Sequence, residues 1–374
     1  MKIRAAVLET TGVARPYTES KPLVIAELDL DKPGPGEVLV KIAAAGLCHS
    51  DLSVIDGNRP RPTPMALGHE AAGIVEETGP GVNDLAVGDH VVFVFVPSCG
   101  QCLPCAQGRP ALCEPGAVAN GNGTLLSGAK RLVRSGESIN HHLGVSALAE
   151  YATVSQQSVV KIDPALDLTK AALFGCAVLT GFGAVVNTGQ VKPGTSTAVV
   201  GLGVVGLCAL MGTKASGARQ VIAVDLADDK LELARELGAT HTVNAGDEDA
   251  IDQVKEISKG GVDYAFEMAG SVHALRLAYN ITARGGTTVT AGLPHPDHLL
   301  DIPAVTLVAE ERTLKGSYIG GCVPRRDLPR FMEMYELGQL PVDRLLSDVI
   351  SLDDINLGFE RLAAGESVRQ VVGF

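Results

Sequence analysis

The sequence predicts a two-domain α/β protein in which a β-rich domain is interrupted by a doubly wound parallel sheet. Three observations carry this. The chain has 374 residues, more than one ordinary hydrophobic core organises. Up to about residue 170, short apolar runs such as VLVKIAAAGLC, AAGIVEETG and DHVVFVFVP are separated by Gly, Pro and Asp, the pattern of strands and turns. From about 178 to 318 the texture becomes alternating β and α segments, which imply parallel strands joined by crossover helices. The expected organisation is therefore 1–177, then 178–318, with 319–374 returning to the first domain.

The middle segment is the most explicit. TAVVGLGVVGLCALMGTKASGARQVIAVD reads as strand, glycine turn, helix and strand. Gly201, Gly203 and Gly206 form G-x-G-x-x-G. In such a turn the first glycine allows the tight bend, the second lets backbone approach a pyrophosphate, and the third lets helix and strand pack closely. The pyrophosphate then rests on the positive helix N-terminus. Asp225 closes the next strand, 19 residues beyond Gly206. Its carboxylate suits ribose hydroxyls and repels a 2′-phosphate, so NAD is expected over NADP. DDKLELARELGA is an amphipathic helix with Leu231, Leu233, Ala234 and Leu237 on or near one face, ended by Gly238. VDYAFEMAG and GTTVTAGLP read as further buried strands.

Charge and hydropathy exclude several classes. Lys plus Arg number 31 against 43 Asp plus Glu, a formal charge of −12, which disfavours nucleic acid and anionic lipid. The basic run Lys130 to Arg134 is short and reads as a solvated loop. MKIRAAVLET has no apolar signal region, so the cytosol is expected. Between Lys170 and Lys214 only Lys192 is charged, leaving two 21-residue stretches long enough to cross a bilayer. Their many glycines and strand and turn signals fit buried strands and helices better.

Eight cysteines without a signal segment point to metal more than to disulfides. Four of them, Cys99, Cys102, Cys105 and Cys113, fall in C-x2-C-x2-C-x7-C. Four thiolates complete a tetrahedral zinc shell and leave no open position, the mark of a structural site, expected in a lobe over 97–115. A second set is dispersed: Cys48 in GLCHSDL, His69 and Glu70 in GHE, and Cys176 in FGCAVLTG. Taken singly, each cysteine reads as a small buried hydrophobe and the histidine as structural. Together, two thiolates and an imidazole hold zinc with a fourth place open. Cys208 lies in the helix after the glycine turn and reads as core. Cys322 lacks such context.

In this order GLCHSD, GHE, the four-cysteine lobe, Cys176, and GLGVVG with Asp225 resemble the zinc-dependent alcohol dehydrogenases of the medium-chain dehydrogenase/reductase family, over essentially the whole chain. The resemblance implies a GroES-like catalytic domain and a Rossmann domain, with the active site in the cleft between them. It implies that Cys48, His69 and Cys176 hold the catalytic zinc, with Glu70 approaching it transiently. Asp51 would orient the ligand imidazole, and Ser50 would accept the alcohol proton. His49, Thr180, Val205, Lys230 and Arg369 would contact the cofactor, and Phe95 and His142 would shape the substrate pocket. The expected cofactors are NAD and two zinc ions per subunit. The expected assembly is a homodimer, or a tetramer, acting on a small alcohol or aldehyde.

The stretch from Glu114 to Glu150 resembles the longer animal-type and glutathione-dependent branch. Two departures stand out: Ser53 occupies the place where many animal-type members carry a relay histidine, and His142 occupies an often aromatic pocket position. Arg59 and Ala117 occupy places where glutathione-dependent formaldehyde dehydrogenases carry Asp and Arg. The expected reaction is reversible oxidation of a primary alcohol, aliphatic or aromatic. The alternative is a dehydrogenase of a formaldehyde–thiol adduct. A zinc-free quinone reductase lacks the motifs present here, and a zinc-ribbon scaffold fits neither the charge nor the second metal set.

Overall fold

The computed structural model describes residues 1–366 and 368–374. The chain forms two compact units. One comprises Met1–Cys176, Val323–Met332 and Val342–Phe374, and the other Ala177–Cys322 with Glu333–Pro341. The stretch 319–374 is thus divided between them. Residues up to Cys322 go with the second unit because the Cys322 thiol donates to the Leu179 carbonyl at 3.3 Å. Gly320 also packs so closely there that a Cβ would stand 2.0 Å from that carbonyl.

The first unit is β-rich. A closed barrel is formed by Lys2–Leu8, Leu23–Leu30, Leu132–Arg134, Glu137–His141 and Met65–Ala66. Its interior is filled by Ile3, Ala5, Val7, Leu28, Leu30 and Ile139. A second sheet is built around the long strand Glu37–Gly46, which pairs with Ala71–Thr78, Tyr151–Ser155 and Gln370–Gly373. The antiparallel pairing Val371↔Gly46 brings the end of the chain beside the turn that carries Cys48. Glu37–Gly46 and Tyr151–Ser155 are buried along most of their length, so both faces of the sheet are largely covered there.

His141, at the end of a barrel strand, is fully buried, and its Nε2 accepts from the Arg131 backbone N–H at 3.0 Å. Burial, followed by Lys130 and Arg131, pushes its pKa from 6.5 down to about 3. Below pH 6.5 the unfolded chain therefore binds a proton that the folded chain refuses. Stability falls as pH drops through this window, by about 1.4 kcal/mol per pH unit. His141→Gln, which keeps an acceptor for Arg131, is expected to flatten that slope between pH 6 and pH 4. Urea melts across the range measure it, and parallel slopes in the two proteins contradict it.

The second unit holds a six-stranded sheet: β1 Ser196–Val200, β2 Gln220–Asp225, β3 His241–Asn244, β4 Val262–Glu267, β5 Thr282–Thr290 and β6 Thr313–Gly316. The spatial order is β3–β2–β1–β4–β5–β6, with all pairs parallel. Strand β1 has β2 on one side and β4 on the other, so a crevice opens beyond its carboxyl end, where such sheets bind ligands. Ala198, Val200, Ile222, Val224, Val243 and Ala265 form the core under the helices. The helix Asp228–Leu237 buries Leu231, Ala234 and Leu237 and ends at Gly238, whose φ is 111°. Leu233 is only half-buried. Among the described residues no single helix is long and apolar enough to cross a membrane.

Candidate functional site

Three short stretches of the first unit converge on one buried point. Cys48 precedes the helix His49–Ile55, His69 and Glu70 lie just before the strand Ala71–Thr78, and Cys176 follows the turn Ala172–Gly175. One ligand atom from each of Cys48, His69, Glu70 and Cys176 lies within 4.8 Å of all the others, and all four residues are buried. Tight backbone contacts fix them. A Cβ on Gly175 would stand 2.2 Å from the Phe93 carbonyl, and one on Gly68 would stand 2.3 Å from the Leu148 nitrogen, where φ is already +97°.

The electrostatics fit a cation. His69 Nε2 and Glu70 Oε1 are buried with no protein partner. A hydrogen bond from Cys176 holds the Cys48 thiol well below its ordinary range and pushes Cys176 well above its own. The thiol pair thus retains a proton that a metal would displace. Two sulfurs and an imidazole are the donor set zinc prefers, and three protein ligands leave a place for a substrate oxygen. Burial pushes the Glu70 carboxyl up to about 7, against the pull of Arg369.

Behind His69 stands Asp51, wholly buried. Its Oδ2 lies 2.9 Å from His69 Nδ1, and its Oδ1 lies 2.9 Å from His142 Nδ1 and accepts from the Gly68 N–H at 2.9 Å. Neither ring meets the carboxylate along an ideal hydrogen-bond line, but an ionised carboxylate only accepts, so the short separations place a proton on each Nδ1. Burial alone would raise the Asp51 pKa, yet the two imidazoles hold it far below the carboxylate range. The Phe95 ring meets His69 edge-on, with centroids 5.2 Å apart. Ser50 and Ser53 sit in the same helix, where the Ser53 hydroxyl donates to the Ser50 carbonyl at 2.9 Å.

Two of the expected site residues have partners within the first unit. His142, assigned to the pocket wall, is 1% exposed and turns its Nδ1 onto Asp51, so its polar atom is engaged within the protein. Arg369, assigned to the cofactor, is 2% exposed and donates to the Leu47 carbonyl and to Glu70 Oε2. Sequence offers no signal for these pairings, since the partners meet only through the barrel and the returning last strand.

Cys99, Cys102, Cys105 and Cys113 also converge within 4.8 Å, and none forms a disulfide. Backbone N–H groups of Cys99 and Gly116 point at Cys113 Sγ, and those of Gln101 and Cys102 point at Cys99 Sγ, at 3.2–3.4 Å. Donors turned toward sulfur stabilise thiolates, and four thiolates match a closed zinc shell.

In the second unit the glycine turn joins β1 to the helix Val204–Ala215. Gly201 has φ +90°, and a Cβ there would stand 2.6 Å from the Ala269 nitrogen. Gly203 is exposed with open space around it, and a Cβ on Gly206 would stand 1.8 Å from the Gly201 carbonyl. The turn, the open approach and the close packing thus fall to three different glycines. Asp225 lies over the turn, accepting from the Leu202 N–H at 2.6 Å and the Ala227 N–H at 3.0 Å. Thr180, Val205 and Lys230 are half-buried in helices of the same unit, whereas His49, in the first unit, is exposed. Glu267, at the end of β4, was not singled out by sequence. It accepts from the Gly270 N–H and the Thr290 hydroxyl, both at 2.6 Å, and ties the loop after β4 to the end of β5. An acid closing the apolar strand VDYAFE is its only sequence signal.

Comparisons agree with this geometry. Residues 34–164 match the alcohol dehydrogenase GroES-like domain, and residues 204–336 match the zinc-binding dehydrogenase domain. The chain is 40% identical over 376 residues to the NDMA-dependent alcohol dehydrogenase of Amycolatopsis methanolica, covering 100% of this chain and 99% of the relative. The solved benzyl alcohol dehydrogenase of Acinetobacter calcoaceticus is 33% identical with a TM-score of 0.93, covering 100% of this chain and 99% of that one. A Sinorhizobium meliloti protein solved with NADP bound is 28% identical with a TM-score of 0.80, and both chains are covered fully.

Proposed function

The chain belongs to the zinc-dependent alcohol dehydrogenases of the medium-chain dehydrogenase/reductase family, and we propose that it interconverts primary alcohols, aliphatic or aromatic, with their aldehydes using NAD(H). The observation that carries this reading is the buried convergence of Cys48, His69 and Cys176 with His69 Nε2 left unpartnered. Zinc held there supplies a Lewis acid that lowers the pKa of an alcohol hydroxyl and polarises a carbonyl. Cys48, His69 and Cys176 hold it, Asp51 fixes the imidazole that ligates it, and Glu70 stands by on its Arg369 tether. Ser50 would relay the hydroxyl proton, taking it on its oxygen while passing its own proton on, and the hydride of the carbinol carbon would go to the nicotinamide of NAD. With the Ser53 hydroxyl hydrogen-bonded inside its own helix, the proton that Ser50 passes on would leave to water. The four-cysteine lobe takes a second, structural zinc.

On the nucleotide side, Gly203 opens the backbone to the pyrophosphate, and Asp225 receives the ribose hydroxyls and opposes a 2′-phosphate. Thr180, Val205, Lys230, His49 and Arg369 remain candidate contacts. The enzyme is proposed to be a homodimer, supported by the edge strand β6, which is mostly exposed, and by the exposed Val305 and Val308 of the helix Ala304–Ala309. A panel of alcohols and aldehydes with NAD and NADP, following absorbance of the reduced cofactor, tests the reading. Wild type is expected to favour NAD at least about 10²-fold in kcat/KM, a difference of about 2.7 kcal/mol. Asp225→Gly is expected to narrow that preference by at least about tenfold. Equal use of both cofactors by wild type refutes the NAD assignment, and an unaltered preference in Asp225→Gly refutes the role of Asp225.

A further inference from the structure

His142 is a buried polar side chain beside the metal centre that the proposed reaction leaves without a task, yet the fold commits much to placing it. The residues after it run through Leu143 at φ 51°, Gly144 at φ 67° and Ser146 at φ 56°, all within a fully buried stretch. Two non-glycine residues in the left-handed region within four positions are strained, and such strain persists where surrounding structure enforces it. Here it is enforced from both sides. Ser146 Oγ accepts from the His142 N–H at 2.9 Å and donates to the Ala66 carbonyl at 2.8 Å. The Ala147 N–H donates to the Gly68 carbonyl and the Leu148 N–H to the Leu67 carbonyl. The bent segment is thus stitched to the backbone that leads into His69.

This places His142 Nδ1 2.9 Å from Asp51 Oδ1, while Asp51 Oδ2 faces His69 Nδ1 at the same distance. The His142 ring also stands edge-on to His69, with centroids 5.5 Å apart, and Phe95 meets His69 edge-on at 5.2 Å. A carboxylate held by a single hydrogen bond can still swing about its Cβ–Cγ bond. Held at Oδ1 by the Gly68 N–H and by His142, it presents Oδ2 in one direction only. His69 is then fixed at Nδ1 and flanked by two rings, so its Nε2 has one aim.

We propose that His142 is a positioning residue for the catalytic metal: by locking the Asp51 carboxylate it fixes the direction of His69 Nε2. The proposal rests on the reading that Cys48, His69 and Cys176 hold zinc. Loss of a partner behind a ligating histidine costs about 10- to 100-fold in metal affinity. His142→Phe keeps the ring and removes the donor. His142→Asn keeps an N–H near the position of Nδ1, whereas His142→Gln carries its amide one bond too far.

The test uses the purified full-length zinc enzyme. It follows zinc release to a chromogenic chelator and the visible absorption bands of the cobalt(II)-substituted protein, with Cys48→Ala as reference. His142→Phe and His142→Gln are expected to speed release from one of the two sites by about 10- to 100-fold and to shift the cobalt bands. His142→Asn is expected to match wild type in both. Wild-type release from His142→Phe, or equally fast release from the Asn and Phe variants, overturns the proposal. If His142→Phe does not fold, the contrast between Asn and Gln decides. If wild type and Cys48→Ala release equal zinc, the metal reading itself fails and the proposal with it. If those two differ while His142→Phe behaves as wild type, the proposal alone fails.

Discussion

Cys48→Ala is expected to lose one zinc ion per chain and at least about 10³-fold in alcohol turnover, the equivalent of about 4 kcal/mol of Lewis-acid stabilisation of the transition state. The substitution is small, removing one sulfur from a buried position, so packing alone predicts only a modest loss of stability. The electrostatic change is large. Cys48 is one of the two thiolates that would face the ion, beside Cys176 and His69. Its removal leaves one thiol and one imidazole to face a divalent ion. Glu70 is the nearest substitute, but its Oε2 is engaged by Arg369. Metal analysis and turnover of the same preparation check the expectation. Full zinc content with full activity overturns it. NADH binding to the glycine turn, which lies in the other unit, should be unchanged by fluorescence titration, so a loss of both would indicate misfolding.

The parts of this molecule that were legible in the sequence are those whose chemistry is local. The glycine turn was legible because strand, turn and helix occupy one short run, and each glycine meets its constraint within that run or against the adjoining strand. The four-cysteine lobe was legible for the same reason. The dispersed ligands were legible as residue types in motifs, although nothing local placed Cys48, His69 and Cys176 together. What was not legible depends on distant closure. The Asp51–His142 contact needs the barrel strand Glu137–His141 beside Met65–Ala66, and then a turn with Leu143 and Ser146 at positive φ. Gly144 marks a bend there, but neither Leu nor Ser announces positive φ at its own position. The pairing of Arg369 with Glu70 spans 299 residues. It exists because Gln370–Gly373 returns to pair with Glu37–Gly46. From sequence, nothing marks that arginine as the partner of Glu70.

The lobe carries the second large effect, and it falls on stability. Cys113 does three things at once. It is one of the four converging thiols, it caps the helix Glu114–Asn122 by accepting from the Gly116 N–H, and it accepts from the Cys99 N–H at 3.2 Å, closing the turn that brings the first thiol into place. Cys102, by contrast, contributes its thiol and is only half-buried. Removing either thiol would open the proposed zinc shell, and loss of a structural metal belongs to the few single changes that cost roughly 3–5 kcal/mol. Cys113→Ala should exceed Cys102→Ala by about 1 kcal/mol, the usual worth of a helix cap. Urea melts with zinc analysis measure both variants. The protein that remains folded should retain most of its turnover, because the lobe's thiolates leave no position for substrate. Wild-type stability in both variants would deny the lobe its metal, whereas equal losses would deny Cys113 its capping role. Loss of turnover without loss of stability would move the lobe from scaffold to active site.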